Sequence, residues 1–480
     1  MNLAMLTDLY QFSMLYGYHL SGTDRKMANF DVFFRRHPFN GGFAVFAGLA
    51  DLLAALQNFH FSDSDLEYIK SLGLKDAGFI EKLKNFHFSG DIFSFPEGSI
   101  CFPGEPLMRF SGPLFEVQLL ETLVLNIINF QTLIATKSAR IFEASGKSAV
   151  VEFGLRRSHG PDGGLSASRA AYIGGCVATS NVLAGQKYGI PVKGTMAHSW
   201  IMSFPNELIS FREYAKAFPD SSVFLVDTYN TLADGVPNAI TVGLEMKKHG
   251  HTLKGIRLDS GDLAYLSVEA RKMLDEAGLT ETKILASNDL DEWIVDALRH
   301  EGAKIDIWGI GTKLVTGSPD SALGGVFKLS AIENEDGVII PKIKVSQNEE
   351  KTTNPGLKSV YRVYDTSGMM TGDIICLADE IPTDESFKLA IHPLNEYKFF
   401  RVTPEYSIKA MMKKVFSNGV IVDGTEKLSD IRNRVLGELE KLHSSHKRLV
   451  NPHYYKVSLS QKLFRLRKSL LEKGLNIQKE

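Results

Sequence analysis

The feature that most constrains the fold of this chain is an alternation of short apolar segments with amphipathic ones that begins near Ser148. Helical stretches such as 206–217, 262–277 and 290–300 lie between most of the apolar segments, which read SAVVEF, VKGT, SVFLVD, KGIRLD, KILAS, KIDIW and GVFKLSA. Strand–helix alternation at this spacing predicts parallel βα units. About seven such units, with no sign of a sheet reversal, favour a closed or nearly closed parallel α/β barrel. An open sheet is consistent with the same pattern.

The alternating pattern occupies only the middle of a chain of 480 residues, which is long enough for roughly two or three domains. We predict an N-terminal α+β domain over 1–147, built of helices and a small β-rich module, and the α/β barrel over 148–331. Residues 332–480 are a C-terminal extension that we expect to complete the N-terminal domain and to cap the barrel. In the first domain the pattern predicts an amphipathic helix over 1–20 and a long buried helix over 114–142.

The composition excludes several classes of protein. Lys plus Arg total 54 and Asp plus Glu total 56, so the basic excess of a general nucleic-acid binder is missing. Cys101, Cys176 and Cys376 are far apart and form no CxxC pair, which argues against a zinc knuckle or a disulfide framework. The segment MNLAMLTDLYQF lacks a basic region, and Asp8 interrupts its apolar run, so we expect no signal peptide. No apolar run is long enough to span a bilayer, and we expect a cytoplasmic protein.

The segment GIRLDSGDLAYLS at 255–267 carries charge where a buried strand is predicted to end. Its apolar run is followed by Arg257, Asp259 and Asp262. One cation and two carboxylates are costly to hold near a core without a partner. A polar ligand, with or without a metal ion, would supply that partner. The alternative is that Asp259 and Asp262 only cap the following helix.

Polar groups and glycines follow the other predicted strands, at the end where the chemistry of such a barrel gathers. They are Glu152 with Arg156 and Arg157, Thr195 with His198, Asp227 with Thr228, Ser287 with Asn288 and Asp289, and Gly309 with Gly311, Thr312 and Lys313. Gly309 and Gly311 would let backbone amides approach an anion, and Thr312 opens a helix whose N-terminus favours negative charge. These residues therefore indicate a phosphate site, and a simple tight turn is the alternative.

His198 lies close in sequence to one of these strand ends. Strand-end groups could hold its ring in one tautomer, and Glu152, Asp227 and Asp259 could orient it or bind magnesium. A lone histidine is more commonly a packing or surface residue. Arg156, Arg157 and Arg257 suit bidentate contact with a carboxylate or phosphate, whereas ion pairing at the surface is their simpler role.

Several long motifs resemble the nicotinate phosphoribosyltransferase family, a group of type II phosphoribosyltransferases. They are TDLYQFSM, FRRHPFNGGFAVFAGL, EFGLRRSHGPDGG, GTMAHSW, VDTYNTL, IRLDSGDL, IWGIGTKLVTG and NPHYYKVSLSQKL, and they run from residue 6 to about residue 463. The resemblance implies an irregular α/β barrel with an N-terminal α+β domain, in a head-to-tail homodimer. It implies that nicotinate and phosphoribosyl pyrophosphate give nicotinate mononucleotide and pyrophosphate, coupled to ATP hydrolysis with magnesium, for NAD salvage.

The resemblance also implies roles for single residues. His198 would be phosphorylated transiently by ATP, with Asp227 and Glu152 holding or activating it. Phe153 and the partner subunit's Tyr10 would lie on the two faces of the pyridine ring, and Arg257 would bind its carboxylate. Arg156, Thr195 and Asn181 would bind the substrate near the ring. Asp259 would bind the ribose. Gly309, Gly311 and Thr312 would hold the 5′-phosphate, and Arg35 or Arg36, across the dimer, the pyrophosphate. Magnesium would bind through Asp227 or Asp259 and the pyrophosphate.

The choice of pyridine substrate rests on one short segment. The related nicotinamide enzyme has an aspartate that accepts a hydrogen bond from the amide, whereas Thr179, Ser180 and Asn181 stand near that place here. Because an aspartate would repel a carboxylate substrate, its absence favours nicotinate.

The chain departs from some relatives in lacking the cysteines of a zinc-binding knuckle. The alternatives are another pyridine phosphoribosyltransferase, a ligand sensor without turnover, and a sugar-phosphate barrel enzyme such as an aldolase.

Overall fold

The computed structural model describes residues 2–348, 351–382 and 385–477, and the chain divides into two compact units. The first unit combines the residues up to Leu133 with those from Ala322 onward, and the second runs from Ile134 to Ser321. The boundaries predicted at 147/148 and 331/332 therefore lie further along the chain than those of the compact units. None of the helices in the described ranges is both long and apolar enough to cross a bilayer.

The N-terminal part of the first unit contains five strands and six helices, numbered here in chain order. They are α1 Leu9–Ser21, β1 Met27–Phe34, β2 Ala44–Val45, α2 Leu49–Gln57, α3 Asp63–Ser71, α4 Ala77–Lys84, β3 Asp91–Ser94, β4 Ile100–Cys101, β5 Met108–Pro113, α5 Leu114–Leu119 and α6 Glu121–Ala144, the last of which continues into the second unit. Of the helix predicted over 1–20 only the part from Leu9 onward is helical, as α1, because the described residues before it form turns. The long helix predicted over 114–142 is confirmed as the pair α5 and α6.

The second unit alternates strands and helices, as predicted. Its elements are β6 Ala149–Glu152, α7 Gly160–Ile173, β7 Ala178–Thr179, α8 Val182–Tyr188, α9 His198–Met202, α10 Glu207–Ala217, β8 Val223–Leu225, α11 Val236–Lys248, β9 Gly255–Leu258, α12 Leu263–Glu276, β10 Lys283–Ala286, α13 Glu292–His300, β11 Ile307–Ile310 and α14 Thr312–Val315. The helices predicted over 206–217, 262–277 and 290–300 are confirmed as α10, α12 and α13.

The six strands of the second unit form one parallel sheet in the order β7-β6-β11-β10-β9-β8. Among the described residues no ladder joins the outer strands β7 and β8, so the parallel α/β sheet is confirmed and a closed barrel is not. The strand predicted at VKGT is reduced to a single bridge between Thr179 and Val192. Pro191 explains this, since proline cannot donate to a ladder.

The C-terminal part of the first unit supplies most of its sheet residues. Its elements are β12 Gly325–Glu333, β13 Ile339–Pro341, β14 Lys358–Tyr364, β15 Met370–Leu377, α15 Glu385–Lys388, β16 Leu389–His392, β17 Asn395–Arg401, β18 Ser407–Ala410, β19 Lys413–Ser417, β20 Val420–Ile421, α16 Leu428–Lys441, β21 Val457–Leu459 and α17 Gln461–Ile477. They form a seven-stranded antiparallel sheet with β1, β3 and β5, and a six-stranded sheet of their own.

One predicted barrel strand belongs to the first unit. The segment GVFKLSA lies in β12, which pairs antiparallel with β1 and sets Leu329 opposite Phe30. Phe327 stacks on Phe30 with ring centroids 5.0 Å apart and packs against Phe110 at 5.2 Å. The prediction of a seventh parallel strand was wrong, because these aromatic contacts with distant strands decide the sheet that β12 joins.

Candidate active site

The carboxyl ends of the parallel strands bring together most of the residues singled out in the second unit. Asp227 follows β8, Arg257 and Asp259 lie at the end of β9, Ser287 follows β10, and Gly309 lies in β11. Parallel neighbours end at the same edge of a sheet, so these groups meet there. Direct hydrogen bonds join the first four of them.

Arg257 is held on three of its nitrogen atoms. Its Nε donates to Oγ of Ser287 at 2.7 Å, one terminal nitrogen donates to Oγ1 of Thr195 at 2.9 Å, and the other donates to Oδ1 of Asp259 at 2.9 Å. The guanidinium carbon lies 5.6 Å from the ring centroid of Phe153. A flat aromatic surface therefore lies beside a cation whose orientation is fixed by three bonds.

His198 and Asp227 form the second group at this edge. Nε2 of His198 lies 3.3 Å from Oδ1 of Asp227. The other oxygen of Asp227 accepts from Oγ of Ser260 at 2.5 Å and from the backbone N–H of Asp259 at 3.0 Å. The Asp227 side chain is only 1% exposed and that of His198 is 42% exposed. A buried carboxylate thus orients an accessible imidazole.

The helix-capping alternative for GIRLDSGDL holds for one of its residues. Asp262 caps α12 by accepting a hydrogen bond from the backbone of Tyr265 at 3.1 Å. Asp259 and Ser260 contact Arg257 and Asp227 instead. The segment therefore divides between a helix cap and the polar cluster at the strand ends.

Glu152 does not make the contact predicted for it. Its carboxylate is fully buried and accepts hydrogen bonds from the N–H of Gly154, from Ser168 at 3.0 Å and from Thr179 at 2.5 Å. In the described part of the chain no hydrogen bond or ion pair joins it to His198. Buried carboxylates bind the nearest donors, and those that reach Glu152 come from its own loop, α7 and β7.

The segment Thr179 to Asn181 contains no acid, and the side chains of Thr179 and Asn181 are hydrogen-bonded within the protein. The Asn181 side chain caps α8 by accepting from Ala184 at 3.2 Å and donates to Ser168 at 3.1 Å. Asn181 is only 3% exposed. These contacts give Asn181 a structural task, whereas its predicted contact with substrate stays a prediction.

One of the glycines predicted to bind phosphate, Gly309, has a clear packing role. A Cβ on Gly309 would lie 2.7 Å from the ring of Phe153, so this position needs glycine to admit that ring. Gly311 precedes the short helix α14, and Thr312 is exposed at its start. The first N–H groups of a helix lack acceptors within it, which leaves Thr312 suited to an anion.

The remaining predicted residues belong to other segments of the chain. Arg156 is exposed in a 3₁₀ turn, Leu155–Arg157, that follows β6. Tyr10 belongs to the first unit, where it is 48% exposed near the start of α1. Arg35 and Arg36 follow β1 in the same unit and line a cavity of about 530 Å³. Partial burial lowers the pKa of Arg35.

Sequence reasoning missed the tasks of three hydroxyl groups. Ser260 and Ser287 bind Asp227 and Arg257, and Thr179 binds Glu152. Ser287 ends the predicted strand KILAS, so its position was a usable signal. Across the described residues no cluster of three or more histidine, cysteine, aspartate or glutamate side chains is arranged to hold a metal ion.

Comparison with known proteins identifies relatives along nearly the whole chain. Models of the nicotinate phosphoribosyltransferase N-terminal domain, family and C-terminal domain match residues 5–129, 148–368 and 357–467. A nicotinate phosphoribosyltransferase of Bacillus subtilis is 47% identical over 462 residues, covering 96% of this chain and 93% of the relative. One of Homo sapiens is 35% identical over 523 residues, covering 97% and 96%.

Solved structures agree with these matches. The crystal structure of human nicotinic acid phosphoribosyltransferase aligns with a TM-score of 0.85 at 33% identity, covering 97% of this chain and 99% of that one. A nicotinate-nucleotide pyrophosphorylase from Pyrococcus furiosus aligns with a TM-score of 0.70 at 22% identity, covering 91% and 95%. The second match supports the fold alone.

Proposed function

The chain belongs to the nicotinate phosphoribosyltransferase family, and we propose that it joins nicotinate to phosphoribosyl pyrophosphate, giving nicotinate mononucleotide and pyrophosphate for NAD salvage. The observation that carries this proposal is the placement of the Arg257 guanidinium beside the ring of Phe153. A flat pyridine with a carboxylate needs both an aromatic surface and a fixed cation. The partner subunit's Tyr10 would cover the second face of the ring in a homodimer.

The absence of an acid at Thr179 to Asn181 supports nicotinate over nicotinamide. Nicotinamide needs an acceptor for its amide N–H groups, and an aspartate in that place would repel a carboxylate. Here Thr179 donates to the buried Glu152, and Asn181 caps α8. Arg257 is then the group that selects the substituent of the ring.

The transfer of the phosphoribosyl group passes through an oxocarbenium-like state, as in glycoside hydrolysis. Asp259 would bind the ribose hydroxyls, Gly311 and Thr312 the 5′-phosphate, and Arg35 or Arg36 the pyrophosphate. Both oxygens of Asp227 already accept hydrogen bonds, so Oδ2 of Asp259 and the pyrophosphate are the groups suited to magnesium. When bound, magnesium would neutralise charge on the leaving pyrophosphate.

His198 would carry the coupling to ATP as a transient phosphohistidine. If Nε2 donates to Asp227, the lone pair lies on Nδ1, which can attack the γ-phosphorus of ATP and release ADP. Water later cleaves the phosphorus–nitrogen bond and releases phosphate. Because the His198 side chain is 42% exposed, a nucleotide can reach it. The phosphorylated and free states would differ in affinity for the ribosyl donor.

Two contacts support the closed, barrel-like course that the sequence predicts for the sheet. Thr195 and His198 follow the bridge at Val192, beside the outer strand β7. Yet Thr195 contacts Arg257 in β9, and His198 contacts Asp227 just after β8, the opposite outer strand. These contacts would follow from a sheet that curves so that its two outer strands approach each other at the site. We also propose a cytoplasmic location for the enzyme.

The experiment that tests this function is a product assay with phosphoribosyl pyrophosphate and magnesium. Nicotinate, nicotinamide and quinolinate are compared, each with and without ATP. We expect turnover of nicotinate only, stimulated by ATP. Turnover of nicotinamide would overturn the assignment of Arg257 and the Thr179–Asn181 segment, and no turnover of any pyridine would favour a ligand sensor.

A further inference from the structure

Ser287 lies between Arg257, which is proposed to bind nicotinate, and Asp259, which is proposed to bind the ribose of the second substrate. Its hydroxyl accepts from Nε of Arg257 at 2.7 Å and donates to Oδ1 of Asp259. The same oxygen of Asp259 accepts from a terminal nitrogen of Arg257 at 2.9 Å. Ser287 is only 3% exposed, so its own hydroxyl is largely shielded from water.

This arrangement prevents the pairing that arginine and aspartate otherwise favour. A guanidinium and a carboxylate side by side form two parallel hydrogen bonds when both are free to do so. Here Nε is bound to Ser287, and Asp259 contacts Arg257 through one oxygen and one nitrogen. Oδ2 of Asp259 accepts no hydrogen bond from the described residues.

The end of the guanidinium is consequently available to a ligand. Thr195 accepts a hydrogen bond from one terminal nitrogen of Arg257, and Asp259 accepts one from the other. Because each terminal nitrogen carries two N–H groups, each keeps a second N–H. Two such N–H groups match the two oxygens of a carboxylate.

We propose that Ser287 is a positioning residue that keeps Arg257 directed at the carboxylate of the pyridine substrate. It does so by preventing Asp259 from forming two parallel hydrogen bonds with Arg257. The inference rests on the proposed function and deepens it, since it identifies the side chain that makes Arg257 selective for a carboxylate. Ser287 acts through Arg257 and Asp259 and touches no reacting atom. Without its hydroxyl, Asp259 pairs with both Nε and the adjacent terminal nitrogen, and the guanidinium turns away from the ring.

The local packing explains why a small residue carries the hydroxyl. The Cβ of Ser287 lies 3.3 Å from the point where a side chain on Gly309 would begin, and Gly309 itself lies against Phe153. The backbone N–H of Ser287 donates to the carbonyl of Leu258 at 2.9 Å, which fixes the hydroxyl beside β9. A longer polar side chain would displace the ring that faces Arg257.

The test compares Ser287→Ala and Ser287→Cys with the wild type. Cysteine fills nearly the same volume but is a weak hydrogen-bonding group, so it separates packing from hydrogen bonding. Ser267→Ala is the matched control, because Ser267 is a fully buried serine of the same unit that bonds Ala264 and Lys304. For both Ser287 variants we expect the KM for nicotinate to rise about tenfold, with a smaller rise for phosphoribosyl pyrophosphate and little change in kcat. The control should change neither KM.

A crystal structure of free Ser287→Ala makes the result independent of turnover. It should show Arg257 bound to Asp259 through both Nε and a terminal nitrogen. An unmoved guanidinium, or a Ser287→Cys enzyme with the KM of the wild type, would overturn the inference. Failure of the proposed function is a different result, because the wild type itself would then not use nicotinate while the crystal structure still decides the role of Ser287.

Discussion

Nε2 of His198 lies 3.3 Å from Oδ1 of Asp227, so an accessible imidazole is oriented by an almost wholly buried carboxylate. We predict that His198→Ala folds normally and makes product, but that ATP no longer stimulates its rate. The measurement is product formation with and without ATP. His251→Ala is the control, since His251 forms a comparable pair with Asp220 at 2.9 Å on the surface of the same unit. Normal ATP stimulation in His198→Ala would contradict the phosphohistidine.

Arg257 is expected to act on the pyridine substrate more than on the ribosyl donor. Removing a charged hydrogen-bonding group costs about 2 kcal/mol, which corresponds to roughly a thirtyfold weaker affinity for nicotinate in Arg257→Ala. Arg257→Lys should recover only part of the lost affinity, because lysine cannot form two parallel hydrogen bonds with a carboxylate. Titrations of each substrate give both dissociation constants. Equal losses for the two substrates would refute the role, and Arg212→Ala, which breaks an exposed pair with Glu245, should change neither.

Glu152 is predicted to stabilise the fold and to leave ATP coupling intact. Its three partners, Gly154, Ser168 and Thr179, all donate hydrogen bonds. In Glu152→Gln the amide nitrogen must face at least one of these donors, which should lower the free energy of unfolding by about 1–3 kcal/mol. Urea denaturation measures that loss. The ratio of rates with and without ATP should equal that of the wild type, and a selective fall in this ratio would restore a role beside His198.

Gly309→Ala separates the packing role of Gly309 from phosphate binding. The added methyl group would lie 2.7 Å from the ring of Phe153, so the ring must move. We expect a higher KM for nicotinate and a nearly unchanged KM for phosphoribosyl pyrophosphate. The opposite pattern would assign Gly309 to the 5′-phosphate. Steady-state kinetics with each substrate varied in turn distinguish the two.

The sequence was sufficient where the signals are local. An apolar run that stops at a charge predicts a strand and the edge at which its charge lies, which is why Asp227 and Arg257 could be expected to meet. The direction of a side chain at a strand end depends on register and on nearby donors, so the bonds of Glu152 could not be predicted. Strand partners are set by distant contacts, and for that reason the sheet that β12 joins was predicted wrongly.

A last prediction concerns the pH dependence of stability in the first unit. Burial, with the charge of Asp373 nearby, raises the pKa of Glu105 well above its usual value of 4.5. The folded state therefore binds this proton more tightly than the unfolded state does. The resulting stabilisation is complete below pH 4.5 and is lost progressively as the pH rises toward the folded pKa.

Glu105→Gln imitates the protonated carboxyl and can still accept from the N–H of Phe102, which Glu105 binds at 2.8 Å. We expect this variant to gain stability over the wild type near neutral pH and to gain little near pH 4.5 in urea denaturation. An equal gain at both pH values would show that the substitution acts through packing and not through the proton.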